Sequence, residues 1–182
     1  MQNLSEATIS TIATLYYIAL LPIVLFFVTL LHELGHAMTA RIFLGDKDWT
    51  IHIGTGKKIL QFGKFTINAC FFWFGRCYTS KNLEEEKALN RLMFTLGGVF
   101  VNILLAIAVF VLGRMLGAHL YATGQLVRIF FWINTPASIF FITNLIQIAA
   151  CLIPQTYKTT GIKSDGWWMI SIIKEMRSSK KS

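Results

Sequence analysis

Charged residues and prolines are scarce in this sequence. Only 14% of the 182 residues are charged, 54% are hydrophobic, and there are three prolines. So low a charged fraction excludes an ordinary soluble domain of this length. No stretch has the composition of a linker, so we expect a single domain over residues 1–182. The composition is that of a membrane protein.

Basic residues are missing from the first part of the chain, where none precedes Arg41. A cleaved signal peptide begins with basic residues and ends at a small-residue cleavage site, and the first apolar run has neither feature. We therefore expect this run to remain in the mature protein. Helix-turn-helix, zinc-finger and RNA-binding motifs are also lacking, which argues against a nucleic-acid partner.

Three apolar runs are present, at about 12–43, 92–116 and 127–153. Each reaches the roughly 20 residues that a helix needs to cross about 30 Å of hydrocarbon. Fifteen of the 17 Lys and Arg fall on one side of a three-span chain, and the positive-inside rule assigns that side to the cytoplasm. We predict an α-helical polytopic membrane protein with its N-terminus outside and its C-terminus in the cytoplasm. The net charge of +8 then reflects topology and contact with anionic lipid.

Between the first two spans, residues 47–78 alternate β-prone runs with glycine-containing turns. This pattern predicts a small membrane-associated sheet on the cytoplasmic side, either an amphipathic anchor or a strand with a free edge that pairs with an extended peptide. The predicted strands are near Trp49 to Ile53, Lys58 to Phe62 and Phe65 to Phe74.

Two helix starts are also predicted outside the apolar runs. Ser80 or Asn82 is a suitable N-cap for the second helix, and the following Glu84 to Glu86 would stabilise its first turn. The segment DGWWMISIIKEM, which begins at Asp165, is too short to span a membrane and predicts a short C-terminal helix at the interface.

The stretch TLLHELGHAMTA, from Thr29 to Ala40, ends the first apolar run. On a helix, His32 and His36 lie on one face, one turn apart, where two imidazoles can bind one Zn²⁺. Glu33 then has the position of a general base for metal-activated water. Each ionisable residue inside a span costs at least about 2.5 kcal/mol of insertion free energy. Such residues are therefore kept mainly where they pair with each other, bind a ligand or relay protons or ions. A hydrogen-bonded core network and a metal or proton relay are the alternatives to zinc binding.

A catalytic zinc usually has three protein ligands and one open position. Asp165 is the favoured third ligand because it follows the third span on the cytoplasmic side and begins a helix. His52, in the predicted sheet, and His119, in the predicted outer loop, are the histidine alternatives. The remaining acids are Glu6, Asp46, Asp48, Glu84 to Glu86 and Glu175.

Three elements resemble the site-2 protease family of intramembrane zinc metalloproteases, peptidase family M50. They are HELGH in the first run, GGVFVN entering the second, and IP followed by SDG after the third, and the resemblance covers about Leu21 to Met169. The resemblance is to a minimal family core, since the chain has no room for a PDZ domain. The order of the three elements is more specific than HExxH alone.

The resemblance implies that His32, His36 and Asp165 bind one zinc per chain and that Glu33 is the catalytic base. It implies that Asn102 belongs to the Gly-x-x-x-Asn element near the active site. The sheet would receive a transmembrane substrate as an added strand. Such a protein would act in the plasma membrane of a prokaryote, with its site near the cytoplasmic side.

The chain departs from the family pattern at the substrate-positioning groups. Cys151 stands where Asn is expected in Asn-x-x-Pro, and ten residues separate Pro154 from Asp165. Asn144 lies on nearly the same helix face as Cys151, about 10 Å along the axis, and is a second candidate for binding substrate. Gly98 replaces a common Pro and, with Gly97, is compatible with close helix packing.

Two other functions are compatible with these features. A non-catalytic homologue that retains zinc and binds transmembrane segments, as a chaperone or inhibitor, would fit the disturbed positioning residues. A metal or proton transporter would need more polar residues through the second span, where Asn102 is almost alone. The intact Glu33 favours the protease. Substrate identity and oligomeric state do not follow from the sequence.

Overall fold

The computed structural model describes residues 6–122, 136–157 and 161–179. These residues form four helices and a small antiparallel sheet, in agreement with the predicted helical protein containing a β element. The elements in chain order are α1 (Glu6–Phe43), β1 (Thr50–Phe62), β2 (Phe65–Tyr78), α2 (Ala88–Ala122), α3 (Pro136–Leu152) and α4 (Asp165–Ser178).

Among the described residues, two helices contain segments long and apolar enough to cross a membrane, Thr14–Phe43 in α1 and Ala88–Met115 in α2. α3 is apolar but has 17 residues, and positions 127–135 of the predicted third span lie outside the described residues. The third span therefore stays a prediction. Large apolar side chains on α1 and α2 are exposed, including Ile18, Ile42 and Leu112, as expected for helices whose outer faces meet lipid.

The helices α1 and α2 approach closely through glycine, as the Gly97-Gly98 pair predicted. A Cβ on Gly35 would collide with the backbone of Gly97, and a Cβ on Gly97 would collide with Gly35 and Thr39. Small residues let helix backbones come together in this way. The contact sets the distance between α1, which carries HELGH, and the first half of α2.

The sheet packs on α1 and is strongly bent. Residues 51–53 pair on one side with 75–77 and on the other with 65–67. The bend in β1 falls at Gly54 and Gly56, which have φ of 84° and 87°, a conformation that glycine adopts without strain. Two of the predicted strands are thus parts of one bent β1. Within the described sheet, 75–77 forms an outer edge beside α1.

The start of α2 was predicted wrongly. The helix begins at Ala88 and has no acidic residue in its first turn. Asn82 instead organises a turn, because its side chain accepts a hydrogen bond from the Glu84 N–H (3.2 Å) and donates one to Glu85 (2.6 Å). Local side-chain hydrogen bonds of this kind compete with helix formation.

Asp46 connects the segment before β1 to the segment after β2 through side-chain hydrogen bonds. Its carboxylate accepts hydrogen bonds from Thr79 (2.7 Å) and from the N–H (2.8 Å) and hydroxyl (2.7 Å) of Ser80, and from the Asp48 N–H (2.8 Å). Burial raises the pKa of Asp46, but these hydrogen bonds outweigh it and lower the pKa to about 2 from 3.8. The ionised carboxylate therefore stabilises the sheet against α1.

We expect Asp46→Ala to lower the free energy of unfolding by about 2–4 kcal/mol, because it removes four hydrogen bonds to a buried, ionised carboxylate. Since the folded pKa is depressed, this stabilisation is present above about pH 4 and is lost as the pH falls towards about 2. Melting curves in detergent between these pH values measure both effects. The control is Asp48→Ala, at a neighbouring exposed carboxylate. Equal melting temperatures for the two variants would contradict the assignment.

Candidate metal centre

His32 and His36, both on α1, form one side of a buried cluster of polar side chains. Their exposed fractions are 3% and 6%, and their Nε2 atoms are 3.2 Å apart. The Nδ1–H of His36 donates to the carbonyl of Phe94 in α2 at 2.8 Å. This contact orients the His36 ring so that its Nε2 lone pair faces His32, which is how outer hydrogen bonds prepare imidazoles for metal ligation. Nδ1 of His32 has no partner among the described residues.

Asp165 completes the cluster from 133 positions further along the chain. Its Oδ2 atom is 3.2 Å from Nε2 of His32 and 3.5 Å from Nε2 of His36. Asp165 is the first residue of α4, whose N-cap is Ser164; the Ser164 hydroxyl accepts a hydrogen bond from the Trp167 N–H. The next residue, Gly166, allows close contact, since a Cβ there would collide with the carbonyl of Leu152 in α3.

Between Pro154 and Asp165, the described residues 155–157 and 161–164 run antiparallel to each other as the two arms of a hairpin. The Ser164 N–H donates to Gln155 O at 2.9 Å, and Thr156 pairs with Lys163 in a single antiparallel bridge; residues 158–160 lie outside the described part. Because the hairpin returns to its starting point, the long loop delivers Asp165 next to the end of α3. The unusual spacing in the sequence is therefore compatible with the ligand role.

The three donor atoms fit a zinc ion. Nitrogen and oxygen ligands about 2.05 Å from a tetrahedral zinc stand about 3.3–3.4 Å from each other. The separations among His32, His36 and Asp165 are 3.2, 3.2 and 3.5 Å. Two imidazoles and one carboxylate also match the ligand types of catalytic zinc sites.

Glu33 lies between the histidines and the sheet. Its side chain is buried, with an exposed fraction of 5%, and it accepts a hydrogen bond from the backbone N–H of Cys77. Gly75 packs against it so closely that a Cβ there would stand 2.7 Å from the Glu33 carboxylate and 2.6 Å from Thr29. The predicted general base therefore faces the edge of β2, a contact that the sequence did not reveal because the third strand was predicted to end at Phe74.

Asn102 and Asn144 are both fully buried, and each has at least one side-chain polar atom without a hydrogen-bond partner among the described residues. Neither polar atom of the Asn102 side chain has a hydrogen-bond partner among the described residues. Asn102 follows Gly98 by one helical turn, and a Cβ on Gly98 would meet both histidine rings, so Asn102 is on the face of α2 that includes the cluster. Asn144 donates to the Phe140 carbonyl at 2.8 Å, and within the described part of the chain its Oδ1 atom has no partner.

Cys151 lies beside the cluster, which sequence reasoning missed. Its sulfur is 3.6 Å from Nε2 of His32 and 3.7 Å from the amide nitrogen of Gln147. A signal was present, because Asn144, Gln147 and Cys151 have the spacing of one face of an otherwise apolar helix. His52, an alternative ligand candidate, has its ring 4.9 Å from that of Tyr78 in the sheet. His119 lies in α2, where an outer loop was predicted.

Searches among curated proteins and among solved structures found no match to this chain. Comparison with protein-family models identified Peptidase family M50 over residues 20–178, which includes every residue of the cluster. M50 proteins are zinc metalloproteases of membranes, the site-2 protease family. By this match over most of its length, the chain belongs to Peptidase family M50.

Proposed function

We propose that this protein is a zinc endopeptidase that hydrolyses peptide bonds within or near the transmembrane segments of membrane proteins. The observation that carries the proposal is the convergence of His32 and His36, from the apolar helix α1, and Asp165, from the start of α4, on one point next to Glu33. Membership of Peptidase family M50 supports the same class of reaction.

His32, His36 and Asp165 would hold the zinc, and the Phe94 carbonyl keeps His36 in the ligating orientation. Bound in such a site, zinc lowers the pKa of a water molecule and polarises the scissile carbonyl. Glu33 takes the proton of the attacking water and passes it to the leaving amine. Burial of Glu33 keeps bulk water away from this proton transfer.

Asn102 and Asn144 are proposed to bind the substrate. A buried polar group without a partner costs about 1–3 kcal/mol, so such groups are kept where a ligand or water completes them. The unpartnered Asn102 amide, on the face of α2 that meets the histidines, is suited to hydrogen-bond the substrate backbone or the developing oxyanion. The Asn144 carbonyl is suited to accept from a substrate N–H.

The edge of β2 at residues 75–77 is the proposed docking strand. A transmembrane helix must unwind before cleavage, and its freed backbone groups need partners in the membrane. An edge strand supplies them by β-addition. Because the Cys77 N–H and Gly75 lie against Glu33, a peptide beside this edge would pass close to the general base.

The apolar outer faces of α1 and α2 support insertion in a bilayer. We infer a three-span topology with the N-terminus outside, in which the distribution of Lys and Arg keeps the sheet and α4 in the cytoplasm. His36 and His32 precede Arg41 by five and nine residues, so the site lies about 8–14 Å of helix below the cytoplasmic edge. The natural setting proposed is a prokaryotic plasma membrane.

The test is to purify the full chain in detergent, measure its zinc content, and follow cleavage of a panel of single-span membrane proteins by mass spectrometry. We expect one zinc per chain and cleavage within or near a span. Zinc at full occupancy, with no cleavage of any substrate in the panel, would instead favour a binding protein for transmembrane segments.

We expect His36→Ala and Asp165→Asn each to lower zinc affinity by more than about 100-fold, because losing only a hydrogen-bond partner of a ligand already costs 10- to 100-fold. Competition with a chromogenic chelator measures the affinity. His52→Ala is the matched control, since it removes an imidazole from the sheet. If Asp165→Asn binds zinc as tightly as the control does, the third ligand is assigned wrongly.

A further inference from the structure

Cys151 has polar surroundings that are unusual for a buried cysteine. Its exposed fraction is 8%, and its sulfur lies against His32 and Gln147, with the Asp165 carboxylate also close by. The donor atoms of His32, Cys151 and Asp165 all lie within 4.8 Å of one another. A buried cysteine that only fills space has apolar neighbours, because it behaves as a small hydrophobic residue.

The distance between the Cys151 sulfur and Nε2 of His32 is that expected for two ligands of one zinc ion. In a tetrahedral site with zinc–sulfur bonds of about 2.3 Å and zinc–nitrogen bonds of about 2.05 Å, sulfur and nitrogen are about 3.5–3.6 Å apart. The distance between the Cys151 sulfur and Nε2 of His32 is 3.6 Å. The other His32 distances, 3.2 Å to His36 and 3.2 Å to Asp165, are those of the three-ligand site described above.

We propose that Cys151 is a fourth protein ligand of the zinc held by His32, His36 and Asp165, and that this ligation closes the site in a latent state. The inference rests on the proposed function. Catalytic zinc sites keep one position open for water, whereas sites with four protein ligands are closed. On ligation the Cys151 thiol loses its proton to water. For hydrolysis the thiolate must leave the metal and regain a proton, which frees the fourth position.

The placement of Cys151 connects the metal to α3. Cys151 lies in the last turn of α3, directly before the hairpin that leads to Asp165. Rotation of the Cys151 side chain would remove the sulfur while the backbone of this turn, against which Ser164 and Gly166 anchor Asp165, stays in place. α3 also carries Asn144, the proposed substrate contact, so a peptide that binds along α3 acts on the helix that holds the sulfur.

Cobalt substitution tests the ligand. The purified chain is stripped with a chelator and loaded with Co²⁺, which gives visible d–d bands in a tetrahedral site and a near-ultraviolet charge-transfer band only when sulfur is bound. We expect both features in the wild type and in Cys70→Ser, the control at an exposed cysteine. Cys151→Ser should keep the d–d bands and lose the charge-transfer band.

X-ray absorption at the zinc edge tests the same ligand in the wild type, without a variant. We expect one sulfur atom at about 2.3 Å from the zinc. Tetrahedral d–d bands without a sulfur signal in the wild type would overturn the inference and leave the metal site of the proposed function intact. Failure to bind any metal would overturn the proposed function itself.

The latent state should lower the rate of peptide cleavage by the wild type. If the sulfur occupies the fourth position in about 90–99% of molecules, its removal raises the competent fraction about 10- to 100-fold. Cys151→Ser should therefore cleave the single-span substrates faster than the wild type and Cys70→Ser do. A sulfur signal in the wild type combined with an unchanged cleavage rate in Cys151→Ser would show that the ligand does not close the site.

Discussion

Replacing Glu33 with glutamine is expected to reduce peptide cleavage by about 10²- to 10⁴-fold, the usual contribution of a positioned acid–base group. Glutamine keeps the shape of the side chain and can still accept the Cys77 N–H, but it cannot take a proton from water. Because Glu33 is not among the donors that converge on the metal, zinc content should stay at the wild-type value. Cleavage rate and bound zinc are measured on the same preparation.

The control for this substitution is Glu84→Gln, at an exposed glutamate in the turn before α2. It removes the same charge outside the cluster and should leave both readouts unchanged. Undiminished cleavage by Glu33→Gln would exclude the proposed mechanism. A loss of zinc together with a loss of cleavage would instead make Glu33 a structural part of the metal site.

Adding one methyl group at Gly98 should disrupt the same site from α2. A Cβ at this position would stand 2.5 Å from Nε2 of His36 and 2.6 Å from Nε2 of His32. These atoms cannot yield without leaving the ligand positions, since the Phe94 carbonyl fixes the His36 ring. We expect Gly98→Ala to lower zinc affinity by about 10- to 100-fold, the effect of disturbing groups that orient metal ligands.

Competition with a chelator measures this affinity, and size-exclusion chromatography verifies that the variant is folded. Ala108→Val, which adds bulk to the exposed face of the same helix, should bind zinc like the wild type. Unchanged affinity in folded Gly98→Ala would contradict the close approach of α2 to the histidines. A parallel loss in Ala108→Val would mean that α2 tolerates no added volume on any face.

The parts of the fold that depend on neighbouring residues could be predicted from the sequence. The two long helices follow from apolar runs, and the positions of His32 and His36 follow from a spacing of four residues in a helix. The sheet follows from β-prone runs separated by glycine. Such features are set within a few turns of chain, where pattern and local geometry determine one another.

The limits of the elements were less predictable, since long-range contacts decide them. α2 starts at Ala88, because the residues before it are engaged elsewhere: Ser80 by Asp46 and Asn82 by Glu85. β2 continues past Phe74 to Tyr78, because its last residues pair with β1 while they pack on α1. Neither partner is visible in the local sequence, so propensity alone extended the helix and shortened the strand.

By itself the sequence determined the chemistry of this protein: a pair of imidazoles with a carboxylate on an apolar helix, a family pattern, and one preferred acid among several for the third ligand. The tertiary structure decided which distant groups meet that pair. Asp165 meets His32, which is 133 residues earlier in the chain, Cys151 comes within 3.6 Å of His32, and the edge of β2 contacts Glu33. These contacts depend on how helices pack through Gly35, Gly97 and Gly166; the glycine pair in α2 indicated close packing, but which backbone each glycine meets is decided only in the folded chain.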